Sequence, residues 1–148
     1  MKQKTKVLIL TLVVTVLAFA ASAPGPLGGF WGLDLSTGRA PTASQLPLFM
    51  ILAVLDALML GLGLSFLAFG FPLLSETANV SRGLARAAHL AISWLFVQWW
   101  PHSNLHIVTE DLGGILVIDY VFHTTIMLAS IIIVYFLIAA RRDRKAAA

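Results

Sequence analysis

The sequence predicts an all-α integral membrane protein, built as a bundle of four transmembrane helices. The first observation is composition: of 148 residues, 59% are hydrophobic and only 11% are charged, and the mean hydropathy is +0.89. So few polar residues cannot cover the surface of a water-soluble globule. The second observation is that the apolar residues form four long blocks. Because unpaired backbone groups are costly in hydrocarbon, blocks of this length are expected to be helices.

The first apolar block, residues 7–23, has two interpretations. It follows three lysines and ends in the small residues of the stretch ASA, which is also the pattern of a cleavable signal peptide. Its length is at the lower limit for crossing ~30 Å of hydrocarbon at ~1.5 Å per residue. We expect it to be a retained helix, and cleavage is the alternative.

Three further spans are predicted at residues 46–71, 83–100 and 115–140, so that residues 1–148 form a single membrane domain. Each block is long enough to cross a bilayer. The second span carries Gly61 and Gly63, small residues that are typical of faces where membrane helices approach closely. The sequence therefore predicts close packing along that face.

The distribution of basic residues predicts the orientation of the spans. Nine lysines and arginines fall on one side of the four-span arrangement and only Arg39 falls on the other. Since basic residues concentrate on the cytoplasmic side, both termini are expected to be cytoplasmic, in a prokaryotic plasma (inner) membrane. Loops 24–45 and 101–114 then face outward. The basic residues lie beside apolar blocks, so the pI of about 9.7 does not predict a nucleic-acid partner.

Titratable residues inside the predicted spans are the main chemical signal. The chain has no cysteine, so any metal must be held by His, Asp or Glu. A charged side chain at mid-bilayer costs about 2.5–3.5 kcal/mol or more, so each needs a partner or a role. Counted at ~1.5 Å per residue from the outer end of each span, Asp56 lies ~15 Å deep, His89 ~16 Å and His123 ~12 Å. These similar depths predict one buried cluster.

Asp119 and His123 stand four residues apart, so they share one face of the last helix. The carboxylate is positioned either to accept a hydrogen bond from the imidazole or to bind a metal itself. This Asp–x–x–x–His spacing resembles a copper-binding pattern on a membrane helix in one subunit of the particulate methane monooxygenases. The likeness covers those two positions only, and no second histidine follows in residues 126–140. It assigns no family.

The deeper cluster predicts a cofactor site. One interpretation is a transition-metal site for copper, zinc or iron, with ligands drawn from His89, His123, Asp119 and Asp56. Another is a b-type haem held between the third and fourth spans by His89 and His123. Two alternatives stay open: a buried Asp–His pair that only fixes helix packing, and proton or ion conduction along these residues.

A second-choice metal site is predicted at the outer boundary, in the stretch WWPHSNLH. His102 and His106 share a face if this stretch is helical, and Glu110 continues that face. Trp99 and Trp100 are expected to mark the membrane–water interface. Histidines at such a boundary are more often simply solvated than bound to a metal, so this site ranks below the deeper one.

The sequence thus predicts a small membrane protein that binds a transition metal or haem b in a membrane redox system. Its expected partners are the lipid bilayer and either other membrane subunits or further copies of itself. The first alternative is a non-catalytic accessory or structural subunit of a larger membrane complex. The second is a small proton- or ion-conducting transporter, which would need to oligomerise to surround a path.

Overall fold

The structure is a computed structural model that describes residues 2–31, 42–77, 80–109 and 111–146. Its elements are six α-helices and one short 3-10 turn: α1 Gln3–Ala21, the turn Gly28–Trp31, α2 Leu46–Phe69, α3 Phe71–Thr77, α4 Arg82–Val97, α5 Trp99–Val108 and α6 Leu112–Ala146. No strand occurs in the described ranges. The all-α prediction is confirmed.

Three helices are long and apolar enough to cross a membrane. They are α1, α2 and the part of α6 that extends over Leu112–Arg142. The predicted span at residues 83–100 corresponds to α4 and the first residues of α5, and it is not among these three. α4 is shorter and places polar and apolar residues on opposite faces.

The helices pack in the order α1, α2, α4, α6, each against the next. Glycine allows two of these contacts. A Cβ atom on Gly61 would lie 2.5 Å from Thr15 Oγ1 of α1, and one on Gly63 would lie 2.7 Å from Val97 Cγ2 of α4. Real Cβ atoms do not come this close, so only glycine lets the backbones approach. Both glycines are at close helix contacts, but Gly61 faces α1 and Gly63 faces α4, so the small residues lie on two faces of α2 and not on one.

Hydrogen bonds attach α1 to the other helices. The buried Thr11 hydroxyl donates to the Ser65 hydroxyl of α2 at 2.8 Å. Farther along α1, the Ala18 carbonyl accepts a hydrogen bond from the Trp100 indole N–H at 3.0 Å. Within hydrocarbon such bonds contribute about 0.6 kcal/mol on average, and they fix which helix faces meet.

The start of α4 packs against the C-terminal part of α6. Ala85, Ala88 and Phe136 form a buried cluster, and Ala140 packs against it. The small alanine side chains let the two helices lie close together. The two helices therefore run antiparallel, with the N-terminal turn of α4 beside the C-terminal part of α6.

A one-residue interruption at Gln98 separates α4 from α5, and Gln98 itself keeps helical backbone angles. The Gln98 N–H still bonds to the Trp94 carbonyl, and the His102 N–H bonds to the Gln98 carbonyl. Proline has no N–H, so Pro101 cannot donate to the carbonyl of Val97, which accounts for the interruption. Pro101 therefore does not end the helical path, and helical structure continues beyond the predicted end of the span at residue 100.

Candidate metal centre

The candidate site lies where α5 meets α6. The two helices are consecutive in the sequence, and α5 contacts α6 in its N-terminal part. Asp111 begins α6 in the manner of an N-cap, because its carboxylate accepts the Gly114 N–H at 2.6 Å. Glu110, a member of the second-choice site, lies outside the described residues.

Three side chains converge at this junction. His102 and His106 are one helical turn apart on α5, and their Nε2 atoms lie 2.9 Å from each other. The Asp119 carboxylate of α6 faces both: its Oδ1 atom lies 3.0 Å from His106 Nε2 and 3.6 Å from His102 Nε2. The three atoms form a compact triangle of electron-pair donors on two neighbouring helices.

The size of this triangle matches a transition-metal ion. The circle through the three atoms has a radius of about 1.9 Å, slightly below the ~2.0–2.1 Å of zinc–nitrogen and zinc–oxygen bonds. A point at bonding distance from all three atoms therefore exists, just outside their plane. Two imidazoles and one carboxylate suit zinc, copper or iron better than calcium or magnesium, which prefer oxygen ligands alone.

His123 lies at the edge of the triangle. Its Nδ1 atom is 3.7 Å from Asp119 Oδ1, and its ring centroid is 5.5 Å from that of His102. The i, i+4 spacing on α6 accounts for the contact with Asp119. His123 is outside the group of three whose donor atoms all lie mutually close. It is placed to orient Asp119 or, after a rotamer change, to approach the open side of the triangle.

The site is graded from the protein interior to the surface. The side chains of His102, His106, Asp119 and His123 are 14%, 31%, 38% and 60% exposed. The His102 ring also packs 5.0 Å from that of Phe122. Burial, and next the nearby His106, lower the pKa of His102. A lowered pKa keeps this imidazole neutral, which is the form that binds metals.

The structure places His89 apart from this group. Its Nε2 atom lies 2.9 Å from the Phe66 carbonyl oxygen, near the end of α2, and its ring packs between those of Phe66 and Phe71. An N–H donated to that carbonyl occupies one ring nitrogen. No contact in the described ranges joins His89 to His123, the pair on which the haem interpretation depends.

Asp56 also has a separate environment. It is buried, accepts a hydrogen bond from Ser103, and lines a small pocket between α2 and α5 together with Ser22 and Asn104. Ser103 follows His102 on α5 but faces α2 instead of α6. Asp56 therefore lies on the α2 side of α5 and does not belong to the triangle.

The structure thus combines members of both predicted sites. Asp119 and His123 come from the deeper set, and His102 and His106 come from the boundary set. Sequence reasoning overlooked Asn104, which holds α5 in place: its side-chain oxygen accepts the Ala23 N–H and its amide donates to the Trp100 carbonyl at 2.7 Å. The sequence feature that could have indicated Asn104 is its position two residues after His102 in the same short helix.

Comparisons with family models, with curated proteins and with solved structures gave no match. The chain is therefore described by what its residues form, an α-helical protein with three helices able to cross a membrane and a His102/His106/Asp119 group that can hold a metal ion.

Proposed function

We propose that this protein is a membrane protein that binds one divalent transition-metal ion through His102, His106 and Asp119. The observation that carries the proposal is the convergence of their three donor atoms within 3.6 Å of one another. Lone pairs at these distances repel one another unless an imidazole proton or a cation lies between them, and one cation can satisfy all three atoms at once. Two histidines one turn apart plus a carboxylate are also a ligand set that zinc and non-haem iron sites use.

The site belongs at the outer membrane–water boundary in this proposal. Because the start of α4 packs against the end of α6, we place Arg82 and Arg141 at one level, and basic residues favour the cytoplasmic boundary. About 20 helical residues cover the ~30 Å hydrocarbon core at ~1.5 Å per residue. Counted from that level, the outer boundary falls near His102 along α4 and α5, and near Val121 along α6. α4 with the first turn of α5 then forms the fourth crossing, both termini are cytoplasmic, and the ion enters from outside.

The chemistry of the bound ion follows from its ligand number. Three protein ligands leave a fourth position for water or a substrate, as in catalytic zinc sites, whereas structural zinc sites are closed by four protein ligands. His123, which is 60% exposed, lies beside the triangle on the surface of α6. A substrate or a second membrane subunit would approach there. Copper or iron at this position would support the redox role expected from the sequence, and zinc would support Lewis-acid chemistry.

The metal content of the purified full-length protein tests the proposal. Protein in detergent is stripped with a chelator, dialysed separately against zinc, copper(II) and anaerobic iron(II), and analysed by mass spectrometry of the elements. We expect one ion per chain for at least one metal. His106→Ala and Asp119→Asn should each abolish stoichiometric binding, because two remaining ligands hold an ion weakly.

Two control variants separate this site from the others. Glu76→Gln removes an exposed carboxylate of α3, and His89→Gln removes the histidine that contacts Phe66. Both should retain one ion per chain if they stay folded by circular dichroism. Loss of the metal in His89→Gln but not in His106→Ala would contradict the proposal. No stoichiometric metal in the parent protein would leave the cluster a packing contact between α5 and α6.

A further inference from the structure

An apolar groove lies between α4 and α6, just below the candidate metal centre. It encloses about 420 Å³ and is lined by Ala91, Trp94, Thr125, Leu128, Ala129 and Ile132. Apart from the Trp94 indole, Thr125 is the one lining residue with a polar side chain, and its hydroxyl is already hydrogen-bonded within the protein. It accepts the Trp94 indole N–H at 3.0 Å and lies 2.9 Å from the Val121 carbonyl oxygen. The walls offer an occupant almost only hydrocarbon surface.

The depth of the groove determines what can reach it. Its lining residues on α6 lie between Ile132 and Thr125, about 14 to 24 Å from the level of Arg141 at ~1.5 Å per residue. This interval falls inside the ~30 Å hydrocarbon core, mostly in the outer half. The groove is open to the side, so the molecules that surround it are lipid chains.

The groove is separated from the metal centre by two aromatic rings. Trp94, at its upper end, stacks on Phe122 with the ring centroids 6.0 Å apart and the planes nearly parallel. Phe122 in turn packs 5.0 Å from the ring of His102. Above this stack, Tyr120 and His123 are exposed on α6 at the level where lipid head groups lie.

We propose that the groove binds a hydrocarbon chain of a phospholipid from the outer leaflet, whose head group lies beside His123 and the metal centre. An apolar wall below a polar, metal-binding rim matches the two parts of an amphiphile in both order and depth. The head-group part of the assignment rests on the proposed metal site, whereas the chain part does not.

Photolabelling of the full-length protein tests the chain assignment. Metal-free protein is reconstituted in phosphatidylcholine vesicles that contain a trace of phosphatidylcholine with a diazirine in one acyl chain. After illumination, labelled residues are mapped by mass spectrometry. We expect several-fold more label on Leu128 and Ile132 than on Val16 and Leu17, which are exposed on α1 and face bulk lipid. Equal labelling of both groups would overturn the assignment, because the groove would then hold lipid no longer than any other surface.

Variants that fill the groove supply the control. Ala129→Leu and, from the opposite wall, Ala91→Leu should remove the excess label, whereas Ala68→Leu, an exposed alanine of α2, should not. Two groove variants are used so that the test remains possible if one of them fails to fold. Excess label that persists in a folded groove variant contradicts the proposal. Crosslinks between two copies at Leu128, with no lipid label, would instead assign the groove to a protein–protein contact and also overturn it.

The metal and head-group parts are read out separately. His106→Ala should lose the metal but keep the chain label in the groove, and Ala129→Leu should keep the metal. With the diazirine moved to the head group, label should appear at Tyr120 and His123. Chain label without head-group label would overturn the placement of the head group alone. Absence of metal binding with both labels present would overturn the metal site and leave the lipid site.

Discussion

The Nε2 atom of His106 lies 3.0 Å from Oδ1 of Asp119 and 2.9 Å from Nε2 of His102. One imidazole nitrogen thus faces both a carboxylate on the next helix and a second imidazole on its own helix. A single N–H cannot donate linearly to both partners. An ion in that space would bond to all three atoms at once.

Replacing His123 should weaken metal binding without abolishing it. In His123→Ala, Asp119 loses the imidazole that lies 3.7 Å from its Oδ1 atom, while the three converging donors stay in place. Loss of a residue that orients a ligand typically costs ~10–100-fold in metal affinity. Competition titration with a chromophoric chelator measures this change. An effect as complete as that of His106→Ala would show that His123 is itself an essential ligand.

Metal binding should be retained at pH 6.5 and should be lost at lower pH. Burial and the neighbouring His106 lower the pKa of His102 from its ordinary 6.5, so the neutral imidazole persists to a lower pH than in a free histidine. The lowered pKa of His102 also affects the stability of the metal-free protein. Below pH 6.5 the unfolded chain takes up the proton before the folded one, so this residue's contribution to stability falls as the pH falls. Zinc titrations from pH 7.5 to 5, monitored by calorimetry, check the binding; an unchanged affinity at pH 5 would contradict it.

Gly63→Ala should destabilise the fold by separating α2 from α4. The new Cβ atom would lie 2.7 Å from Val97 Cγ2 and 2.8 Å from Phe96 Cβ, so one helix must shift. Overpacking of this kind costs about 1–3 kcal/mol. Gly83→Ala is the matched control, because nothing lies within 4 Å of its Cβ position and alanine favours helix over glycine by ~1 kcal/mol. Thermal unfolding in detergent should show opposite shifts, and a stable Gly63→Ala protein would argue against the close approach.

Asn104→Ala should reduce both stability and metal affinity. Asn104 accepts the Ala23 N–H and donates to the Trp100 carbonyl, so it fixes α5 relative to the end of α1. Leaving the buried Ala23 N–H unpaired costs about 1–3 kcal/mol. His102 and His106 lie on the same short helix, so added freedom in α5 weakens their alignment. Ser75→Ala, at an exposed site on α3, should change neither the unfolding temperature nor the zinc affinity. Equal zinc affinity in the two variants would contradict this coupling.

The helical fold could be predicted from the sequence because lipid imposes it. Residues 46–71 nearly match α2 Leu46–Phe69, and residues 115–140 lie within α6 Leu112–Ala146. The i, i+4 pairs His102/His106 and Asp119/His123 also share faces as predicted, since that spacing follows from helix geometry alone. Local periodicity thus accounts for which side chains of one helix lie together.

The contacts between different helices could not be predicted from local periodicity in the sequence. The predicted depths placed His89 with His123 because the third span was counted from Trp100. Helical structure continues past Pro101 as α5, and His89 packs against Phe66 near the end of α2, away from His123. The contact between α5 and α6, which brings Asp119 to His102 and His106, is a tertiary feature that local periodicity does not encode.

X-ray absorption at the edge of the bound metal is the most direct test of the metal centre. For the zinc-loaded protein we predict nitrogen and oxygen neighbours at ~2.0–2.1 Å with the outer-shell scattering of two imidazole rings. His102→Ala and His106→Ala, loaded at high zinc concentration, should each lose the scattering of one ring. A first shell of oxygen alone, or imidazole scattering unchanged in both variants, would contradict a site formed by His102, His106 and Asp119.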